Sequence, residues 1–421
     1  MNAWTHDAER AQRPIRVAVV GLGWAATSIW LPRLREHPAY TVAAVVDPNP
    51  AAREAVAHDR AGTLLLSSVE ELTSDQVDLA VVAVPNHLHS TIACKLLTQG
   101  IPVFLEKPVC LNSGEAEQLA TAERAGNSLL LAGSAARYRS DVRELRRLIT
   151  DLGRIRHVEL SWVRARGVPD AGGWFTQRDL AGGGALVDLG WHLLDTVAPL
   201  LGSVDFDQVI GSVSDDFVNA GSARAAWRDS EDPGGAADGS ADGSADGSED
   251  GSADAQPAVC GDVEDTVRAF LITGSGVSIS LRASWASHEA EDVTRIRIDG
   301  SGGTARLRCT FGFSPNRRPG GSSLTFTRDG VTSAVPLADE AIGAEYFRQL
   351  DELPGLLADP EGQGKTIDEV HRTIGVIERI YGSARSARPR TGERGRRAPE
   401  RAGTQTFVLH SGDHHETALG Q

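Results

Sequence analysis

Between residues 14 and 135, short valine-rich runs alternate with amphipathic stretches of helical length, and few architectures accept that alternation. The runs IRVAVV (15–20), VAAVVD (42–47), LAVVAVP (79–85), IPVFLE (101–106) and LLLAGSA (129–135) read as strands buried on both faces. Helical candidates lie between them, near 24–36, 50–60, 89–99 and 114–125. Such alternation implies an α/β domain, a doubly wound parallel sheet with helices on both faces. Pro32 falls inside the first helical stretch, so a kink or restart is expected there.

After residue 136 the pattern changes. A helix near 140–152 leads into a strand-like run at 156–165, then a glycine-paired loop and a helix near 183–200. Segments 205–214, 267–274, 277–287, 294–300 and 304–313 alternate apolar and polar residues as half-buried antiparallel strands do. Asp299-Gly300 and Asp329-Gly330 mark turns, and helices near 339–357 and 366–383 complete an α+β domain with a large, mostly antiparallel open sheet. The division expected is a disordered N-terminus at 1–13, a nucleotide-binding domain at 14–135, a substrate and oligomerisation domain at 136–383, and a flexible Arg-rich tail at 384–421.

Residues 220–258 fit neither core. Four ADGS-like units stand in tandem at 237–252, and Asp229 to Asp254 hold nine acidic residues and no basic one, so a disordered acidic insertion is expected. Its carboxylates recur every four residues, whereas a calcium loop needs them two apart, so no metal site is assigned. Much of the formal charge of −15 therefore belongs to this insertion. An acidic chain of this kind is not built to coat nucleic acid or an anionic membrane.

No apolar run approaches the length needed to cross a bilayer, and MNAWTHDAERAQRP lacks the apolar core of a signal peptide, so a cytoplasmic location is expected. Cys94, Cys110, Cys260 and Cys309 form no C-x-x-C pair. Among 42 basic residues only Lys95, Lys107 and Lys365 are lysine, a bias typical of a GC-rich genome that makes the lysine at 107 worth explaining.

GLGWAA, Gly21 to Ala26, follows the first strand and opens a helix. Gly21 permits the tight turn, Gly23 lets a pyrophosphate approach the backbone, and Trp24 and Ala25 sit at the cofactor mouth, with helix N–H groups as donors. This is the fingerprint of a Rossmann domain. Asp47 closes the second strand, where a carboxylate accepts from an adenosine ribose and repels a 2′-phosphate, and Pro48, Asn49 and Pro50 bring no arginine. NAD is preferred over NADP.

Pro85 and Asn86 end one strand, His89 starts the next helix, and Glu106-Lys107-Pro108 closes the following strand, all at the carboxyl edge where open α/β sheets bind ligands. Here the sequence resembles the glucose-fructose oxidoreductase/inositol dehydrogenase/rhizopine-catabolism (Gfo/Idh/MocA) superfamily, whose signature at this point is E-K-P. AGGGALVDLGWHLLDTVAPLLG (181–202) is similar to that family's G-G-G-x-x-x-D-x-G-x-H-x-x-D element, and 264–285 to its substrate-domain strand pair.

The resemblance implies an NAD(P)-dependent oxidoreductase acting on a CH–OH group of a sugar, amino sugar, sugar nucleotide or cyclitol, and the arginine-rich composition adds, by association, an expected place in antibiotic-type metabolism. It implies His192 as the acid/base, Asp188 as the group that binds substrate hydroxyls and orients the imidazole, and Lys107 as the ammonium on the reacting oxygen. Asp188 and His192, spaced i and i+4, would share a helix face. Pro85, Asn86, His89 and Glu106 would border the cofactor, while Arg137 and Trp174 are candidate substrate contacts. A homodimer or homotetramer through the second sheet is expected. An NAD-dependent glycosidase of the same superfamily and a catalytically silent sensor are the alternatives.

Overall fold

In the computed structural model, residues 13–57, 62–165, 167–169, 173–202, 205–219 and 261–387 are described. The expected insertion and the outermost parts of both termini lie outside these residues. Six strands, β1 (Ile15–Val20), β2 (Tyr40–Val46), β3 (Leu64–Leu66), β4 (Leu79–Val82), β5 (Val103–Leu105) and β6 (Leu130–Ala132), form an all-parallel sheet in the order β3-β2-β1-β4-β5-β6. Val20 aligns with Val46 on one side and Val82 on the other, so the carboxyl ends of β1, β2 and β4 open on a common edge. The strand order reverses between β1 and β4, and a crevice forms outside such a switch point.

The expected break at Pro32 is present. A π-helical turn, Ala25–Trp30, gives way to α1 (Leu31–Glu36), so Pro32 sits in the first turn of α1, where Arg33 Nη1 donates to the Ile29 carbonyl at 2.8 Å. Helices α2 (Pro50–Ala57), α3 (His89–Thr98) and α4 (Ser113–Ala125) connect the later strands. β3 is not anticipated by the sequence pattern: it is a three-residue edge strand whose Leu64 and Leu65 remain exposed.

Helices α5 (Ser140–Arg147), α6 (Ile149–Leu152), α7 (Arg178–Ala181) and α8 (Trp191–Leu201) intersperse the second half. Its eight strands are β7 (Ile155–Val163), β8 (Phe206–Ser214), β9 (Thr266–Thr273), β10 (Ser278–Ser284), β11 (Val293–Gly300), β12 (Thr304–Cys309), β13 (Ser323–Arg328) and β14 (Val331–Val335). They lie in the order β14-β13-β12-β11-β7-β10-β9-β8, antiparallel except for β7 against β10. Val158, Leu160, Ile279, Leu281, Ile296 and Ile298 point inward and share one core with α8 and with the last helix, α10 (Lys365–Ala387). Among the described residues the opposite face carries exposed apolar side chains: Ile210 and Phe270, paired across β8 and β9, are 62% and 42% exposed. The Asp329-Gly330 turn joins β13 to β14 with both residues at positive φ.

Helix α9 (Ala344–Leu357) returns to the first sheet. Leu350 and Leu353 are fully buried with Val17, Val19, Trp30 and Phe104, and the Tyr40 hydroxyl donates to the Leu350 carbonyl at 2.5 Å. Among the described residues no helix is long and apolar enough to cross a membrane, and no cluster of three His, Cys, Asp or Glu is arranged to hold a metal ion.

Candidate active site

The crevice between the two sheets is lined from the first sheet by the glycine turn. Gly21 has φ +83°, and a Cβ there would stand 2.7 Å from the Ala83 carbonyl oxygen, so glycine is required. A Cβ on Gly23 would meet nothing within 4 Å, which leaves open space before the loop, and Gly23, Trp24 and Ala25 all face it. Asp47 stands behind, its carboxylate accepting from the Leu22 and Asn49 N–H groups, each at 2.8 Å. The structure adds an arginine beyond the Pro48–Pro50 turn: Arg53 folds back to donate to the carbonyls of Asp47 and Pro48.

Pro85, Asn86, His89, Glu106 and Lys107 line the same crevice. Asn86 Nδ2 donates to the Ala181 carbonyl at 3.0 Å and ties this edge to the second half of the chain. His89 is buried, with both ring nitrogens against carbonyl oxygens, Pro108 at 2.6 Å and Val84 at 2.8 Å. Burial pushes its pKa down to about 4. Its imidazole braces two loops and offers no nitrogen to a ligand. Glu106 accepts from the Trp30 indole N–H at 2.7 Å and from the Lys107 N–H at 3.0 Å; burial raises its pKa against the pull of Lys107.

The opposite wall begins at Gly182–Gly184. Gly182 has φ +82°, and a Cβ on Gly184 would fall 1.8 Å from the Glu264 carbonyl oxygen, so the chain passes too close to the start of β9 for any side chain. Glu264 Oε1 accepts from Gly184 N–H at 3.1 Å, Leu186 N–H at 3.0 Å and the Tyr381 hydroxyl at 2.8 Å. This buried carboxyl caps a second π-helical turn, Leu186–Gly190, which leads into α8. Asp188 and His192 are therefore not related by the regular α-helical spacing.

Asp188 Oδ1 accepts from Lys107 Nζ at 2.7 Å, and Oδ2 accepts from the Trp285 indole N–H at 3.0 Å. Burial works to raise the Asp188 pKa, but Lys107 and then Arg164 hold it well below the usual carboxylate range. His192 faces the crevice one turn on, its ring 5.6 Å from that of Trp162. Burial, reinforced by Lys107 and Arg164 and opposed by Asp188, pushes its pKa down to about 3. Neither His192 nitrogen is hydrogen-bonded to a described residue, in contrast to His89.

Trp174 also lines the crevice. Arg137 does not. Its guanidinium is committed to Asp195, at 2.6 and 3.0 Å, and to Glu369, at 2.6 Å, in a cluster on the far side of α8, so a substrate contact is not its place. Trp162, Arg164, Phe175, Phe313 and Tyr346 also line the crevice, and no sequence motif singles them out, while Trp285 reaches the site only through its hydrogen bond to Asp188. Trp162 and Arg164 carry a local signal, since they continue the inward parity of Val158 and Leu160 on β7, as Trp285 continues that of Ile279 and Leu281 on β10.

Two family models account for most of the described chain. "Oxidoreductase family, NAD-binding Rossmann fold" matches residues 15–134, and "GFO/IDH/MocA C-terminal domain" matches 142–306. The chain belongs to the Gfo/Idh/MocA family. It is an NAD(P)-dependent oxidoreductase acting on a CH–OH group. Among its Gfo/Idh/MocA relatives is an Amycolatopsis mediterranei (strain S699) protein named "Putative UDP-kanosamine synthase oxidoreductase subunit", 56% identical over 376 residues, 89% of this chain and 98% of the relative. Two solved structures share the fold: aldose-aldose oxidoreductase from Caulobacter crescentus (TM-score 0.67, 23% identity, 89% of this chain and 99% of that one) and GenD2 from gentamicin A biosynthesis in complex with NAD (TM-score 0.65, 24% identity, 89% and 95%).

Proposed function

We propose that this Gfo/Idh/MocA chain interconverts a ring hydroxyl and a ketone on a nucleotide-activated sugar, with NAD as its cofactor. The observation that carries the reading is the Lys107–Asp188 ion pair beside a neutral His192 whose ring nitrogens are hydrogen-bonded to none of the described residues, in a crevice onto which the glycine turn opens. The residues present fit a dinucleotide: Gly23 leaves its approach free, and Asp47 stands at the end of β2. The turn Gly21–Ala25, Asp47, Pro85, Asn86 and Glu106 would hold it. NAD bound there supplies the hydride acceptor.

The protein's own part is proton and charge management. Lys107 Nζ donates to the reacting oxygen and favours its deprotonated form. Asp188 fixes that ammonium from behind, itself oriented by Trp285. His192, held neutral, accepts the hydroxyl proton in oxidation and returns it in reduction. A compact ammonium suits a reacting oxygen better than a guanidinium fork, which accounts for a lysine in an arginine-rich chain.

The nucleotide sugar is favoured by the relative with UDP-kanosamine in its name, and the gentamicin structure is in keeping with antibiotic sugar metabolism. NAD is favoured by Asp47, whose carboxylate would repel a 2′-phosphate, while Arg53 Nη1 is engaged with the Asp47 and Pro48 carbonyls. The face of the second sheet that carries Ile210 and Phe270 is the surface we assign to homo-oligomerisation. The test is nicotinamide reduction by the purified protein with a panel of UDP-sugars, free sugars, amino sugars and inositols, run with NAD and with NADP. The reading expects UDP-sugars with NAD to be fastest, and fails if no nucleotide sugar is turned over.

A further inference from the structure

The crevice holds a second cation that the proposed chemistry does not use. Arg164 follows the last residue of β7, and its side chain is 13% exposed, with the guanidinium 5.5 Å from the Trp162 ring centroid. A guanidinium carries five N–H donors. Among the described residues the Arg164 guanidinium makes one hydrogen bond, from Nη1 to the Gly167 carbonyl at 3.3 Å. Its nearest carboxylate oxygen, Asp188 Oδ2, is 3.9 Å away, too far for a hydrogen bond, and already accepts from Trp285, while Lys107 occupies Oδ1. The guanidinium is thus balanced in charge by Asp188 and stacked near Trp162, while most of its N–H donors remain open to a ligand that can accept from them.

We infer that Arg164 is the phosphate-binding residue of the substrate half of the site, gripping the pyrophosphate of a nucleotide sugar whose ring lies over Asp188 and His192. The inference rests on the nucleotide-sugar reading and assigns the residue that enforces it. A planar fork pairs bidentately with phosphate or carboxylate oxygens, so the ligand chemistry is an anion carried by the sugar. Two groups could supply it, the pyrophosphate of a nucleotide sugar or the carboxylate of a uronic acid. The pyrophosphate is favoured by the aromatic rim on the same side: Trp174 and Phe175, with ring centroids 5.0 Å apart, offer faces for a base or a pyranose. Arg164 also stands on the opposite side of Asp188 from Lys107, so one ligand can place its reacting hydroxyl at Lys107 and its anionic substituent at Arg164.

The experiment uses the full chain with Arg164→Gln and Arg164→Lys, read by calorimetric binding of UDP and UDP-glucose and by initial rates with UDP-glucose, glucuronate and methyl glucoside. Calorimetric NADH binding serves as the control for folding. The expected result is a loss of roughly thirtyfold or more in UDP and UDP-glucose affinity in Arg164→Gln, about the weight of a charge-assisted bidentate contact. Arg164→Lys should recover part of it, and the preference for UDP-glucose over methyl glucoside should collapse in Arg164→Gln. If the wild type turns over UDP-glucose and Arg164→Gln binds it within twofold of wild type, the inference is overturned while the nucleotide-sugar reading stands. If glucuronate shows the Arg164 dependence and UDP-glucose does not, the anion is a carboxylate and the inference falls. If no nucleotide sugar is bound or turned over by the wild type, the reading it rests on has failed first.

Discussion

Lys107, at the end of β5 in the first sheet, reaches across the crevice to Asp188, at the π-helical turn under the second sheet, with Nζ and Oδ1 2.7 Å apart. Neither half of the chain contains the pair by itself. Replacing Lys107 by Met removes the donor to the reacting oxygen, and kcat should fall by about 10²–10⁴-fold, the usual weight of a positioned proton-transfer or charge-stabilising group. Initial rates alongside NADH binding separate this from a folding defect, because NADH should still bind.

The glycine turn gives a pair of opposed outcomes. Gly23→Val places its side chain where the protein has no atoms, so thermal stability should change little while NADH affinity drops at least tenfold. Gly21→Ala forces a Cβ into the Ala83 carbonyl at positive φ and should lower stability by about 1–2 kcal/mol or more. Fluorescence titration with NADH and a melting curve on both variants distinguish the two effects.

The alternation that identifies the first sheet is legible because buried parallel strands are apolar, as β4 is throughout and β1 is from Val17 to Val20. β3 escapes because its three edge leucines carry no pattern; β13 and β14 escape as well, β13 with Leu324 alone buried and β14 with four of its five residues exposed, so only the Asp329-Gly330 turn between them shows in the sequence. Lys107, Asp188 and His192 are singled out by the family resemblance of the E-K-P and G-G-G-x-x-x-D-x-G-x-H elements, and the fold brings Lys107 to Asp188. Trp285 and Arg164 are not, since what brings them to Asp188 is sheet register, which pairs β7 with β10 across more than a hundred residues. Arg137 looks like a ligand-facing arginine until Asp195 and Glu369 are seen around it.

His192 bears on pH. With burial first, and Lys107 and Arg164 beside it, its pKa lies near 3, so the ring is neutral at every pH above that value. The acid limb of kcat/KM for oxidation should therefore fall well below the 6.5 of an ordinary histidine, and the ring nitrogens should show no titration by NMR between about pH 5 and 8. A midpoint near 6.5 would contradict this.

Glu264 supports the catalytic wall without touching the crevice. Glu264→Ala strands the buried N–H groups of Gly184 and Leu186 and should cost about 1–3 kcal/mol for each, measured by urea unfolding. Glu264→Gln retains an acceptor oxygen and should keep most of that stability. In Glu264→Ala kcat should fall as well, because Asp188 lies in the turn that Glu264 caps.

On this face of the second sheet, Ile210→Glu with Phe270→Glu puts like charges directly opposite each other on β8 and β9. Light scattering should show smaller assemblies than wild type, and an unchanged mass would move the interface elsewhere.

The most direct measurement is NADH formation from NAD and a UDP-sugar by the wild type and by the Lys107→Ala, His192→Ala double variant, with ketone product and NADH binding followed in parallel. The account predicts steady NADH and ketone formation by the wild type, and a rate lower by about 10³-fold or more in a double variant that still binds NADH. A double variant that keeps the wild-type rate would contradict it.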